Sequence, residues 1–243
     1  RLVRDFDLAG MIWLDLPQVR AWQLFGWDGR RREIYRVDVL HPFIYDPPAE
    51  EAPSVYDDAA ALYLLRDAAP LPGWRARYPD AVLLWEPLQQ YMLPENAAEF
   101  RAHVRPVDIV SPNWLEAGAV YGFDTPERLV RAMLDDGASV AALRMGEAGS
   151  MVGRRGEDRV LHVPPVPVPE VIDQTGAGNT YCGGFLVGWT QTRDVKRAGA
   201  YGAVAASFSL ETPGVADPPA GFEAERDARL AWTLERVRPA VST

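Results

Sequence analysis

The chain has 243 residues, of which 48% are hydrophobic and 24% are charged, and its formal net charge at pH 7 is −9. A chain of this size and balance can build one large globular domain with a full core, and its acidic charge argues against nucleic-acid binding, which depends on clustered basic residues. The single cysteine, Cys182, excludes an internal disulfide and a cysteine-rich zinc module, and the only lysine, Lys196, lies outside any Gly-Lys-Ser/Thr loop of the Walker type.

Residues 1–45 are predicted to form a small antiparallel β unit. Three short apolar runs supply its strands, at residues 11–14, 21–25 and 33–37. The Asp28-Gly29 pair between the last two runs is typical of a hairpin turn. Residues 46–55 are rich in Pro and Glu and are predicted to be a linker.

Beyond the linker the pattern changes to short apolar strands that alternate with helices, which indicates βαβ units and a mainly parallel sheet. Thr125 followed by Pro126 marks the start of one of the helices. No apolar run of about 18 residues and no signal-peptide pattern is visible, so we expect a cytoplasmic protein that does not cross a membrane. The predicted strands lie at residues 60–65, 81–85, 107–110 and 139–143, and the predicted helices at 95–103, 125–134, 180–190, 195–210 and 221–237.

The segment 173–179, Asp-Gln-Thr-Gly-Ala-Gly-Asn, comes immediately before a helix of small residues. The first amides of a helix have no internal partner, and glycines let an anion approach them closely. This pattern would suit a phosphate, and a tight connection between a strand and a helix is the alternative. It is not a dinucleotide fingerprint, because Tyr181 occupies the position of the third glycine.

Four segments, in order along residues 5–215, resemble motifs of the PfkB, or ribokinase-like, carbohydrate kinases. The segment 173–179 is similar to that family's C-terminal signature, Asp-Thr-x-Gly-Ala-Gly-Asp, and Asn113-Trp-Leu-Glu116 is similar to its Asn-x-x-Glu. Residues 143–150 resemble its strand and Gly-x-x-Gly turn, and residues 203–214 its Ala-rich helix and closing Gly turn. The resemblance implies a three-layer α/β/α fold with a small β lid, and ATP-dependent phosphorylation of a hydroxyl on a sugar, a nucleoside or a similar small molecule.

The resemblance also implies a role for each matched residue. The amides of Gly176, Ala177 and Gly178 would stabilise the transferring phosphoryl group. Asn113 and Glu116 would hold Mg²⁺ beside ATP through water, since one carboxylate with several waters suits that ion. From the residues alone, the alternative for this pair is a helix cap with an acid in the first turn.

The same resemblance assigns the remaining contacts with the nucleotide and with cations. Arg144, Gly146 and Gly149 would contact the nucleotide, with Gly146 and Gly149 letting it lie against the backbone. Gly214 is assigned to the nucleotide site as well, and it lies with Asp173 where some members of the family hold a monovalent cation such as K⁺. For Asp173, a loop cap is the alternative.

The last position of the signature departs from the family. Asn179 stands where the family has the Asp that takes the proton of the acceptor hydroxyl, and an amide cannot accept that proton at neutral pH. A subset of fungal and bacterial relatives, including the fungal maintenance-of-killer-virus proteins, is similar in carrying Asn here. The alternatives are therefore a kinase, a nucleotide-binding pseudokinase that acts as a regulator or scaffold, and an α/β protein that binds no nucleotide.

The residues that select the acceptor in this family precede the lid, and we expect that N-terminal part of the fold to be missing from this chain. The lid would be residues 1–45. Its aromatic residues could stack on a sugar or a nucleoside, or could form a hydrophobic lid face or a homodimer contact. These residues are Trp13, Trp22, Phe25 and Trp27.

Overall fold

The computed structural model describes residues 7–11, 13, 21–26, 31–35, 48–214 and 221–240. The chain divides into two compact units, Arg1–Ala59 and Ala60–Thr243. The boundary predicted between residues 45 and 46 lies within the range 36–47, which is outside the described residues.

The first unit contains an antiparallel hairpin, as the sequence indicates. Strand β1 (Ala21–Phe25) pairs with β2 (Arg31–Tyr35), and Trp22 lies opposite Ile34. The Asp28-Gly29 turn lies outside the described residues, as do the side chains of Phe25 and Trp27. Within the predicted linker the chain forms two short 3-10 turns, Ala49–Glu51 and Ser54–Tyr56.

The second unit is built on a seven-stranded sheet whose order in the described residues is β3-β4-β5-β6-β7-β8-β9. The pairs from β3 to β6 are parallel, and those from β6 to β9 are antiparallel. The strands are β3 (Ala61–Arg66), β4 (Val82–Pro87), β5 (Ile109–Val110), β6 (Val140–Arg144), β7 (Ser150–Arg154), β8 (Leu161–Val163) and β9 (Arg238–Pro239). The helices are α1 (Leu71–Arg77), α2 (Ala97–His103), α3 (Trp114–Tyr121), α4 (Pro126–Asp135), α5 (Ala177–Thr192), α6 (Val195–Leu210) and α7 (Phe222–Arg236).

Helices cover both faces of this sheet, which gives the predicted three-layer arrangement. On one face, alternate strand residues such as Leu84 and Ile109 pack with Phe185 of α5 and Ala198 of α6. On the other face, the indole of Trp85 packs against Phe100 of α2, with ring centroids 5.2 Å apart. Because successive strand residues point to opposite faces, the fully buried strand β4 contributes to both layers.

Two local predictions need correction. Helix α5 begins at Ala177 and not at residue 180, so Gly178 and Asn179 belong to its first turn. Strand β7 was not predicted, because its sequence, Ser-Met-Val-Gly-Arg, is not an apolar run and contains Gly153. That glycine faces α4, where an added Cβ would lie 2.7 Å from Val130 and 3.1 Å from Leu134.

The carboxyl ends of the parallel strands β3–β6 meet at one edge of the sheet, where ligands bind in folds of this class. The residues that resemble kinase motifs follow β5 and β6 at this edge. None of the helices in the described ranges combines the length and the apolar character that a bilayer crossing requires.

Candidate active site

The first turn of α5 is open to an anion. Gly176 precedes the helix with φ at 83°, a left-handed conformation that glycine adopts without strain, and no side chain of the described residues caps the helix. The N–H of Ala177 donates to the carbonyl of Gln174 at 3.3 Å, and that of Thr180 to the carbonyl of Gly176 at 2.9 Å. The amides of Gly178 and Asn179 therefore remain at the positive end of the helix dipole.

Arg144 packs directly against this turn. A Cβ atom added at Gly178 would overlap Nη1 of Arg144, so glycine is required for the guanidinium to lie this close to the helix. The same Nη1 forms an ion pair with Oε1 of Glu86 at 2.7 Å, and Nη2 donates to the carbonyl of Ser111 at 2.9 Å. The two side chains of the ion pair are 12% and 8% exposed, so this is a buried pair at the end of β4 and β6.

Buried groups surround the ion pair. The hydroxyl of Tyr63 donates to Oε2 of Glu86, and the thiol of Cys182 lies 3.4 Å from the hydroxyl of Ser111. Burial raises the pKa of the Cys182 thiol to about 12, so the thiol is protonated at neutral pH. Burial alone would lower the pKa of Arg144, but the groups around it, Cys182 and then Glu86, raise it overall and the guanidinium stays charged.

Asn113 and Glu116 form a capping box at the start of α3. Oδ1 of Asn113 accepts from the N–H of Leu115 at 2.9 Å, and Oε2 of Glu116 accepts from the N–H of Asn113 at 3.2 Å. The alternative that the sequence left open, a helix cap, is thus present in the structure. It leaves a carboxylate at the sheet edge, and the N–H of Arg144 donates to the carbonyl of Pro112 beside it.

The turn that follows β6 depends on its two glycines. Gly146 and Gly149 have φ values of 59° and 83°, in the left-handed region that favours glycine. The N–H of Met145 donates to the carbonyl of Gly149 at 2.8 Å, which closes the turn. A Cβ at Gly149 would overlap the carbonyl of Val163, whereas no described atom lies within 4 Å of that position at Gly146. Gly146 therefore leaves room beside the backbone.

Asp173 lies at the loop that leads into α5. Its Oδ1 accepts from the N–H of Thr175 at 2.8 Å. This bond, then the side chain of Thr175 and finally the backbone of Gly214, lower the pKa of the carboxyl, so the structure brings Asp173 and Gly214 together. Asn179 is exposed on the first turn of α5.

The structure thus unites most of the predicted residues around Arg144, which contacts Gly178 and lies beside Asn113 in a parallel bridge. Sequence reasoning missed Glu86 and Tyr63. An acid at the end of an otherwise apolar strand was the available signal for Glu86. The aromatic residues of the first unit, Trp13 and Trp22, are exposed within that unit.

A metal ion at this site would need ligands in addition to the described side chains. Within the described ranges, no group of three or more His, Cys, Asp or Glu side chains could hold a metal. One carboxylate, Glu116, fits an ion that keeps most of its water and binds phosphate oxygens as well, which is the behaviour of Mg²⁺.

Comparison with known proteins supports the motifs. A family model described as pfkB family carbohydrate kinase matches residues 88–220, more than half of the chain. An ATP-dependent 6-phosphofructokinase of Thermoanaerobacterium thermosaccharolyticum is 28% identical over 139 residues, which are 56% of this chain and 42% of that protein. A cytidine kinase of Thermococcus kodakarensis is 32% identical over 96 residues, 40% of this chain and 34% of the relative.

Solved structures agree on the fold. The crystal structure of a probable sugar kinase from Rhizobium etli CFN 42 superposes with a TM-score of 0.69 at 25% identity. The match covers 88% of this chain and 66% of that one. The chain therefore spans less than half of the two curated relatives and about two thirds of this structure.

Proposed function

The chain belongs to the pfkB family of carbohydrate kinases, and on that premise we propose that the full-length protein transfers the γ-phosphoryl group of ATP to a hydroxyl of a sugar, a nucleoside or a similar small molecule. The observation that carries the proposal is the open first turn of α5 with Arg144 packed against Gly178. Phosphoryl transfer needs mainly positioning and charge neutralisation, and this turn offers amides and a buried cation together.

Each residue has a defined task in this proposal. The backbone of Gly176, Ala177 and Gly178 orients the transferring phosphoryl group. Gly146 leaves room for the nucleotide beside the backbone, whereas at Gly149 the carbonyl of Val163 fills that space. Arg144 supplies positive charge from beneath the turn, and Gly214 contacts the nucleotide.

Glu116 would hold Mg²⁺, with Asn113 fixing the helix start that carries it. When bound, Mg²⁺ supplies neutralising charge to the phosphates. Asp173, beside Gly214, is the candidate for a monovalent cation such as K⁺, because its carboxylate is held in the ionised form by the hydrogen bonds around it.

Asn179 favours a second candidate function, a pseudokinase that binds nucleotide and acts as a regulator or scaffold. The amide can orient an acceptor hydroxyl but cannot take its proton, and general-base help is worth roughly two to four orders of magnitude in rate. We place the chain with the relatives that carry Asn at this position. A homodimer through the first unit stays a prediction.

The test is phosphoryl transfer from labelled ATP with Mg²⁺ to pooled sugars and nucleosides, using the full-length natural protein. Transfer to one pool supports the kinase and limits the possible acceptors to the compounds of that pool. ATP binding by calorimetry without transfer to any pool supports the pseudokinase. Absence of ATP binding contradicts both.

A further inference from the structure

We propose that Glu86 is a charge-balancing residue that sets how strongly the first turn of α5 binds phosphate, and that it does so by neutralising Arg144. The inference rests on the proposed function, because it assigns the phosphate of a nucleotide to that turn. It adds a residue on β4 that none of the kinase motifs contains.

Arg144 is close both to Glu86 and to the first turn of α5. The guanidinium of Arg144 lies between the carboxylate of Glu86 and the backbone of Gly178, and a Cβ at Gly178 would be 3.9 Å from Oε1 of Glu86. An anion bound by the amides of the turn would therefore meet Arg144 and Glu86 at short range, with opposite effects.

The charges of Arg144 and Glu86 act on the first turn of α5 in opposite ways. The positive end of the α5 dipole and the guanidinium repel each other, and Glu86 offsets that repulsion while the turn is without an anion. Glu116 also acts on Arg144, more weakly than Glu86. Because the site is buried, these interactions are weakly screened by salt.

The partners of Arg144 do not use all of its hydrogen-bond donors. A guanidinium has five N–H donors. Nη1 binds Glu86 and Nη2 binds the carbonyl of Ser111, but Nε has no hydrogen-bond partner among the described residues. Tyr63 fixes Glu86 from the other side through Oε2. Arg144 is thus held in one place with donor capacity that its present partners do not use.

The experiment measures binding of inorganic phosphate and of ADP by calorimetry on the full-length protein and its variants. Arg144→Gln removes the cation and should weaken binding of both by at least about tenfold, because a hydrogen bond to a charged group is lost. Glu86→Gln keeps the shape and an acceptor for Arg144 but removes the negative charge. It should tighten binding by about threefold to tenfold.

A purely structural role for the pair predicts something else, namely that both single variants weaken binding. That outcome would overturn the inference, as would Arg144→Gln binding phosphate as well as the natural protein does. Arg131→Gln, which removes an exposed cation that pairs with Glu127 on α4, is the matched control and should leave phosphate binding unchanged. Arg144→Lys keeps a charge and should recover part of the affinity.

Breaking one partner of a buried ion pair can prevent folding, so circular dichroism accompanies every variant. The double variant Glu86→Gln/Arg144→Gln leaves no uncompensated charge and should fold with the low phosphate affinity of Arg144→Gln. If it binds phosphate as the natural protein does, the inference is wrong. If the natural protein binds neither phosphate nor ADP, both the inference and the proposed function fail. Binding that the variants leave unchanged contradicts the inference alone.

Discussion

Two helices begin at the same edge of the sheet, and their first turns are completed in opposite ways. At the start of α3, the side chain of Asn113 accepts from the N–H of Leu115 and that of Glu116 accepts from the N–H of Asn113, which completes a capping box. At the start of α5, a left-handed glycine replaces a capping side chain within the described residues, and Arg144 packs against the turn.

A capped helix start has a structural role, whereas an open helix start can bind a ligand. A capped start stabilises its helix by roughly 0.5–2 kcal/mol and leaves few donors for a ligand. An open start gives up that stabilisation and keeps amides for an anion. We infer that α3 holds a carboxylate in place, while α5 binds phosphate.

The largest expected effect comes from changing the acceptor side of the α5 turn. If proton removal limits a slow kinase, Asn179→Asp should raise turnover by up to about two to four orders of magnitude. The new carboxylate also repels the triphosphate, so the affinity for ATP should fall somewhat. Labelled-phosphate transfer to the pooled acceptors compares this variant with the natural protein. Robust natural activity that Asn179→Asp abolishes would contradict the role given to Asn179.

Filling the space between α5 and Arg144 should have the next largest effect. Gly178→Ala places a methyl group on the guanidinium, and overpacking of this kind costs about 1–3 kcal/mol. We expect ATP affinity to fall by about ten- to a hundredfold in calorimetry. The control is Gly183→Ala in the same helix, where no described heavy atom lies within 4 Å of the Cβ position. Equal ATP affinities for the two variants would mean that Arg144 does not contribute to nucleotide binding.

At the capped helix, the expected effect depends on metal. Glu116→Gln removes the charge that would face Mg²⁺ and keeps the shape of the capping box. Nucleotide affinity with Mg²⁺ should fall by about tenfold, which is the lower end for loss of a residue that supports a metal, and affinity without Mg²⁺ should change little. Glu127→Gln, in the first turn of α4, is the matched control. Should both affinities fall equally, Glu116 is only a cap.

The smallest effect distinguishes a working cap from a nominal one. Asn113→Ala removes the bond to the N–H of Leu115 and should lower the free energy of unfolding by about 0.5–2 kcal/mol. Thr125 precedes α4 without a side-chain cap bond, so Thr125→Ala should cost less than about 0.5 kcal/mol. Urea denaturation compares the two. A larger loss for Thr125→Ala would mean that the hydrogen bond of Asn113 does not stabilise α3.

Some local features of the helices can be predicted from the sequence. Helix α6 was predicted at its observed bounds, and Pro213 and Gly214 follow its end. The structure adds that the side chain of Asp194 caps its start. The start of α5 was placed too late, because glycines disfavour helix in general. Here Gly178 is in the helix for a reason that lies elsewhere in the chain, the side chain of Arg144.

Contacts between distant segments account for the rest. Glu86 and Arg144 are on separate strands, and no pattern along the chain pairs them before the sheet order is known. Tyr63 joins them from a third strand. The antiparallel half of the sheet was missed for a related reason, because β7 and β8 contain no continuous apolar run and are stabilised by their neighbours.

The most direct test follows backbone amides by NMR during titration of the full-length protein with inorganic phosphate, in the absence of Mg²⁺. We predict that the amide resonances of Gly178 and Asn179 shift on binding. The amide of Leu115, which already donates to Asn113, should keep its position. Saturable shifts at Leu115 without shifts at Gly178 and Asn179 would contradict the assignment of phosphate to the open turn of α5.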